Sequence, residues 1–229
     1  MHTFFCESIG EKGTAAMLSR GERDHLFKTL RARPGETVRL IDGRGRCAAG
    51  TVTAEREVEI GEVAECALPA VRLHLFLAAP RKQKMDQLLK QAAELGVWSV
   101  QVMHCDYSVA LPEGSERWSA LLLEGCKQSG NPFLPRIEPP VKFARALELI
   151  REKGYCGCYG EVEAAVADGK ISGADIAWLV GPEGGFSEAE LRSMREAGFA
   201  GINLGPYILR LETAAICGLA VLRRMVGNG

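Results

Sequence analysis

The chain has 229 residues, 47% of them hydrophobic and 25% charged, with 28 basic side chains against 29 acidic ones. This composition excludes a disordered or collagen-like chain and supplies a core for one large domain or two unequal ones. A formal net charge of −1 argues against a generic polyanion binder, yet charge is segregated: eight basic and four acidic residues lie between Arg20 and Arg46, then two basic and five acidic between 47 and 72.

In chain order, Glu22 to Arg31 predicts a helix, with Leu26, Phe27 and Leu30 at helical spacing and Pro34-Gly35 ending it. Thr37–Ile41 and Arg46–Thr53 flank Asp42-Gly43-Arg44-Gly45 as a hairpin, and Val58–Val63 adds a strand. Leu68-Pro69-Ala70 reads as a linker, so residues 1–69 form a small β-rich domain and 70–229 a second one. There the rhythm becomes strand (Val71–Ala78), helix (Lys82–Leu95), strand (Trp98–His104), helix (Glu116–Ser129), strand (Tyr155–Tyr159) and strand (Ile176–Val180). A helix (Ser187–Ala197), a strand (Gly201–Leu204) and a helix (Thr213–Met225) follow, which makes an α/β layered domain with a parallel sheet.

No run approaches the ~20 apolar residues of a membrane span, and Met1-His2-Thr3-Phe4-Phe5 lacks the features of a signal peptide. The eight cysteines are scattered, and Cys156 and Cys158 do not have zinc-knuckle spacing. The expectation is a cytoplasmic protein with reduced thiols, no metal and no membrane partner.

Two loops each follow a strand and precede a helix, where open α/β sheets place ligands: Gly181-Pro182-Glu183-Gly184-Gly185-Phe186, leading to a Ser187/Glu190 capping box, and Leu204-Gly205-Pro206-Tyr207-Ile208-Leu209-Arg210. Neither the phosphate-binding loop of an ATPase nor a dinucleotide glycine fingerprint is present.

The segments Leu179–Ser187 and Leu204–Ala214 resemble the paired C-terminal motifs of the ribosomal RNA small subunit methyltransferase E family, within the SPOUT methyltransferases. The resemblance runs along nearly the whole chain, through Phe4-Phe5, His25–Arg31, Pro34-Gly35, Asp42-Gly43, Lys82–Gly96, Lys127-Gln128-Ser129-Gly130 and Leu134-Pro135. It implies a PUA-like β-barrel followed by a trefoil-knotted α/β domain that forms the homodimer. The implied reaction moves the methyl of S-adenosylmethionine to N3 of a uridine in 16S ribosomal RNA, free or in the assembling small subunit.

By that resemblance the cofactor contacts Leu179, Val180, Gly181, Pro182, Glu183, Gly184, Leu204, Gly205, Ile208, Leu209 and Thr213. Arg210 stabilises the developing uracil anion or holds a phosphate, with a structural ion pair as its alternative. Glu183 or Glu212 accepts the N3 proton, with a carboxylate capping the last helix as the alternative reading of Glu212. RNA contact falls on Arg20, Arg23, Arg31, Arg33, Lys82 and Lys84, whose alternative is a solvated face. The chain departs from the family at Tyr107 and Tyr207, where arginine is usual, at Leu211, where threonine is usual, and at Asn131. Two other readings stay open: a SPOUT enzyme acting on another base or a ribose hydroxyl, and a non-catalytic RNA-binding assembly protein.

Overall fold

The structure, a computed structural model, describes residues 1–80, 82–109, 116–162 and 171–226, and of Lys82 the backbone alone. Two units emerge: residues 1–68 together with 123–134, and residues 69–122 together with 135–229.

In the first unit, strands β1 (Thr3–Phe5), β2 (Thr37–Ile41), β3 (Arg46–Val52) and β4 (Val58–Glu65) form one sheet in that order. The first pair is parallel and the others are antiparallel. Along β3 the small and apolar Ala48, Gly50 and Val52 are buried while Ala49 and Thr51 are exposed, the period-two pattern of a sheet with one face on a core. That core gathers Phe4, Leu26, Val38, Leu40, Val52, Val58 and Ile60. The β2–β3 turn is fixed by the buried Asp42, whose Oδ1 accepts from the amides of Arg44 (2.7 Å) and Arg46 (3.0 Å).

Helix α1 (Arg20–Asp24) starts two residues before the expected Glu22, because the Ser19 hydroxyl accepts from the Glu22 amide at 3.2 Å and caps it. A π-helical turn, His25–Thr29, continues it. The Leu30 amide reaches the His25 carbonyl at 2.9 Å and the Ala32 amide reaches that of Leu26 at 3.1 Å, which brings Arg31 to φ +55°.

The second unit is built on β5 (Arg72–Ala78), α2 (Lys82–Glu94), β6 (Ser99–His104), α3 (Glu116–Ser129), β7 (Arg136–Lys142) and α4 (Phe143–Glu152). It continues with β8 (Cys156–Gly160), β9 (Asp175–Val180), α5 (Glu188–Glu196), β10 (Ala200–Ile202) and α6 (Leu211–Val226). The C-terminal half of α3 belongs with the first unit. All six strands are parallel, in the order β10-β8-β9-β5-β6-β7. Central strands carry helices on both faces, hence β5 buries Leu73, Leu75, Leu77 and also Phe76. Helix α6 turns Leu211, Ala215, Gly218, Leu219 and Leu222 inward at helical spacing.

At the amino ends of the central strands lies a polar seam. Buried His74 on β5 meets the Ser99 hydroxyl through Nδ1 (2.7 Å) and Asp175 through Nε2 (2.9 Å), and its ring stacks on Tyr155 at 4.0 Å. Arg72 holds the other Asp175 oxygen at 2.6 Å. All eight cysteines are free thiols. Among the described residues no helix is long and apolar enough to cross a membrane, and no group of three or more His, Cys, Asp or Glu side chains is arranged to hold a metal ion.

Candidate active site

The chain leaves the carboxyl ends of β8, β9 and β10 in three loops, and together with the start of α6 these wall a cavity of about 580 Å³. From β8 come Gly160, Glu161 and Val162; from the β9 loop, Gly181, Pro182, Glu183, Gly185 and Phe186; from the β10 loop, Leu204, Gly205, Tyr207, Ile208, Leu209 and Arg210. This is the edge of an open α/β sheet at which ligands bind, and the volume lies within the roughly 300–1,000 Å³ of small-molecule and cofactor sites.

The loops are held by groups of their own. The Ser187 hydroxyl accepts from the Glu190 amide (3.2 Å) and the Glu190 carboxylate accepts from the Ser187 amide (2.9 Å), the expected capping box of α5. The other oxygen of buried Glu190 accepts from the Asp106 amide (3.0 Å), and Ser187 donates to the Asp106 carboxylate (2.5 Å). That network brings Tyr107 against Gly184, where an added Cβ would lie 3.3 Å from the Tyr107 side chain. On the other side, Asn203 donates to the Val162 carbonyl (2.7 Å) and accepts from the Gly205 amide (2.7 Å), joining the β8 loop to the β10 loop. Gly205 sits at φ +131°, a conformation open in practice to glycine alone.

A family model described as an RNA methyltransferase domain matches residues 67–223 of this chain. The chain is 31% identical to a ribosomal RNA small subunit methyltransferase E of Aquifex aeolicus, over 97% of its own length and 99% of the relative's. The chain belongs to the ribosomal RNA small subunit methyltransferase E family. A Mycobacterium bovis protein of the same family name is 25% identical over 96% of this chain and 90% of its own. Among solved structures, a Neisseria gonorrhoeae member bound to S-adenosyl methionine superposes with a TM-score of 0.87 at 27% identity, over 98% of both chains. A Legionella pneumophila methyltransferase in complex with the same cofactor gives 0.83 at 25%, over 97% of both.

Of the residues expected at the family's cofactor site, Leu179, Val180, Gly181, Pro182, Glu183, Leu204, Gly205, Ile208 and Leu209 line the cavity. Gly184 and Thr213 do not; Gly184 packs on Tyr107, and the α6 residues in the wall are Leu211 and Ala214. Arg210 lines it from an exposed position. Glu212, expected as a proton acceptor, is not in the wall. Its Oε1 is paired with Lys84 at 2.8 Å, and its Oε2 is buried without a hydrogen bond among the described residues. Lys84, with a smaller contribution from Arg210, holds this carboxyl below the usual carboxylate range. The pair joins a residue expected in catalysis to one expected at the RNA. The sequence reading missed Glu161, Asn203 and Asp106 as residues that build the site, and the second contact of Glu190, to the Asp106 amide.

Arg20, Arg23, Arg31 and Arg33 are all exposed in the first unit, while the Lys82 side chain lies outside the described residues. Trp118 and Trp178 are buried core anchors, and Trp98 is half-buried. Trp178 also forms the floor of the cavity, its indole donating to the Ala214 carbonyl at 3.3 Å.

Proposed function

We propose that this protein uses S-adenosylmethionine to methylate N3 of a uridine in 16S ribosomal RNA. The observation that carries this reading is the cavity at the ends of β8, β9 and β10, walled by both glycine motifs and bordered by Arg210, in a family member whose Neisseria relative is described with that cofactor. The residues fit the group. Leu179, Leu204, Leu209 and Trp178 give apolar walls for an adenine, and the loops offer backbone polar groups beside them. When bound, the cofactor supplies an electrophilic methyl on a sulfonium, so the chain itself needs no metal.

The rest falls to the protein. Uracil N3 lies on the Watson–Crick edge, so the target base must be unpaired or flipped. Tyr207, 79% exposed on the cavity rim, offers the face on which such a base stacks. Arg210 stabilises the negative charge that develops as N3 loses its proton. Glu183, exposed and in the wall, is placed to take that proton through water, whereas Glu212 is engaged by Lys84 and serves to hold the loop.

The same reading assigns the first unit to a PUA-like, RNA-binding barrel, the loops around β9, β10 and α6 to a trefoil knot, and the second unit to a homodimer interface. Its substrate is 16S RNA, free or in an assembling small subunit. Sedimentation should return twice the chain mass, and a monomer would remove the dimer from the proposal.

Arg210→Ala tests the chemistry. A donor acting in the transition state typically contributes about 3 to 4 kcal/mol, so single-turnover methylation should fall roughly a hundredfold to a thousandfold while cofactor affinity persists. A fall of less than about tenfold would return Arg210 to a structural role. Nucleoside mass spectrometry of 16S RNA from a strain lacking the gene should show one 3-methyluridine missing; an intact complement would refute the assigned base.

A further inference from the structure

Glu161 is a carboxylate in a cavity wall otherwise made largely of apolar side chains and backbone. It follows directly on β8, and its amide donates to the Ile202 carbonyl at the end of β10 (3.0 Å), so its backbone is pinned between two strands. Its side chain is pinned as well: Tyr159 donates to Oε2 at 3.1 Å and the Arg195 guanidinium meets Oε1 at 2.5 Å. Neither contact comes from the glycine motifs, and neither is needed to hold a solvent-exposed residue in place. An ionised carboxylate has about four acceptor sites, and among the described residues two are taken by these contacts, which leaves acceptor capacity in a residue that lines the cavity.

We infer that Glu161 is the acceptor for the vicinal hydroxyls of the cofactor's ribose. The cofactor has two donor groups that suit a carboxylate, the ribose diol and the α-ammonium. Arg195 decides between them. It neutralises Glu161, so an ammonium arriving there would meet a guanidinium at close range and gain little, whereas hydroxyls need only acceptors in fixed positions. A diol spaced on adjacent carbons also matches the two oxygens of one carboxylate, and Tyr159 and Arg195 hold that carboxylate in a single orientation before the ligand arrives.

The assignment rests on the methyltransferase reading, and the two are separable by binding calorimetry with S-adenosylhomocysteine and its 2′,3′-dideoxy analogue. The unmodified protein should prefer the natural ligand by at least about tenfold, because hydrogen bonds to a charged acceptor are lost with the hydroxyls. In Glu161→Gln that preference should shrink to about threefold or less, the loss falling on the natural ligand while the analogue binds as before. Glu161→Asp, which keeps the charge and withdraws it by one methylene, should fall between. A preference retained in full by Glu161→Gln, or an equal loss of both ligands, would overturn the assignment. No binding of S-adenosylhomocysteine by the unmodified protein would overturn the methyltransferase reading and this inference with it.

Discussion

At the scale of single residues, two glycines set the shape of the cavity, and they do so differently. Among the described residues nothing crowds a Cβ added at Gly205, so its requirement comes from φ +131°. Gly218, inside α6, is the opposite: a Cβ there would lie 2.1 Å from the buried Trp178 ring, which forms the cavity floor. Alanine at 218 gains about 1 kcal/mol of helix propensity over glycine but forces a large, enclosed side chain to move, at a cost of about 1 to 3 kcal/mol. The clash should win. Gly218→Ala is expected to lower unfolding stability by up to about 2 kcal/mol and, by pushing Trp178 toward the cavity, to weaken S-adenosylhomocysteine binding. Urea unfolding and calorimetry check both, and a variant as stable as the parent would show that the indole has room to shift.

At the scale of elements, the β-α-β rhythm was legible because buried parallel strands write continuous apolar runs and their helices write a 3.6-residue period, as Met85, Leu88, Leu89 and Ala92 do. Three elements escaped notice. β1 is three residues long, too short for any period. β7 contains Pro139 and Pro140, which argue against a strand until it is placed at the sheet edge, where missing donors cost least. α4 does carry a helical pattern in Phe143, Ala146, Leu147 and Ile150, but Lys142 makes no side-chain cap bond and the start signal is missing. Within the site, the glycine motifs were readable because they are local. The Lys84–Glu212 and Asp106–Ser187–Glu190 contacts join residues about 80 to 130 positions apart, so spacing gave no sign of them. His74 was likewise invisible, and it predicts a pH dependence. Burial, aided by Lys153 and Arg72, lowers its pKa despite Asp175, so the folded chain binds fewer protons than the unfolded one once pH drops below about 6.5. Stability from this seam is therefore complete above that pH and is lost as pH falls toward the lowered value. Asp175, held below its usual range by His74 and Arg72, adds a further loss in stronger acid. Melting temperature should decline between about pH 7 and pH 5, and His74→Asn should be less stable at pH 8 yet show a flatter decline. An unchanged slope in that variant would move the effect to other groups.

At the scale of the whole molecule, a protein of net charge −1 that acts on RNA must concentrate its positive charge. The first unit does this with Arg20, Arg23, Arg31 and Arg33, all exposed, while the nearby Lys28 is engaged by Asp24 at 2.9 Å. Arg31 is the informative member. It holds φ +55°, which a residue with a Cβ adopts at a cost of about 1 kcal/mol, at a position where glycine would be the ordinary choice. Under the proposed function, RNA phosphate is the partner that would repay that strain at an exposed arginine. Arg31→Gly should therefore separate folding from binding: stability stays level or rises by up to about 1 kcal/mol while RNA affinity falls. Each phosphate contact removed should flatten the dependence of log affinity on log salt by about 0.7 for single-stranded RNA, so Arg31→Gly with Arg33→Ala should lose roughly 1.4 from that slope. S-adenosylhomocysteine affinity, set in the second unit, should not change. Should the slope survive both substitutions, these arginines are a solvated face and the RNA is held elsewhere; should stability fall with Arg31→Gly, the arginine side chain supports the π-helical turn instead.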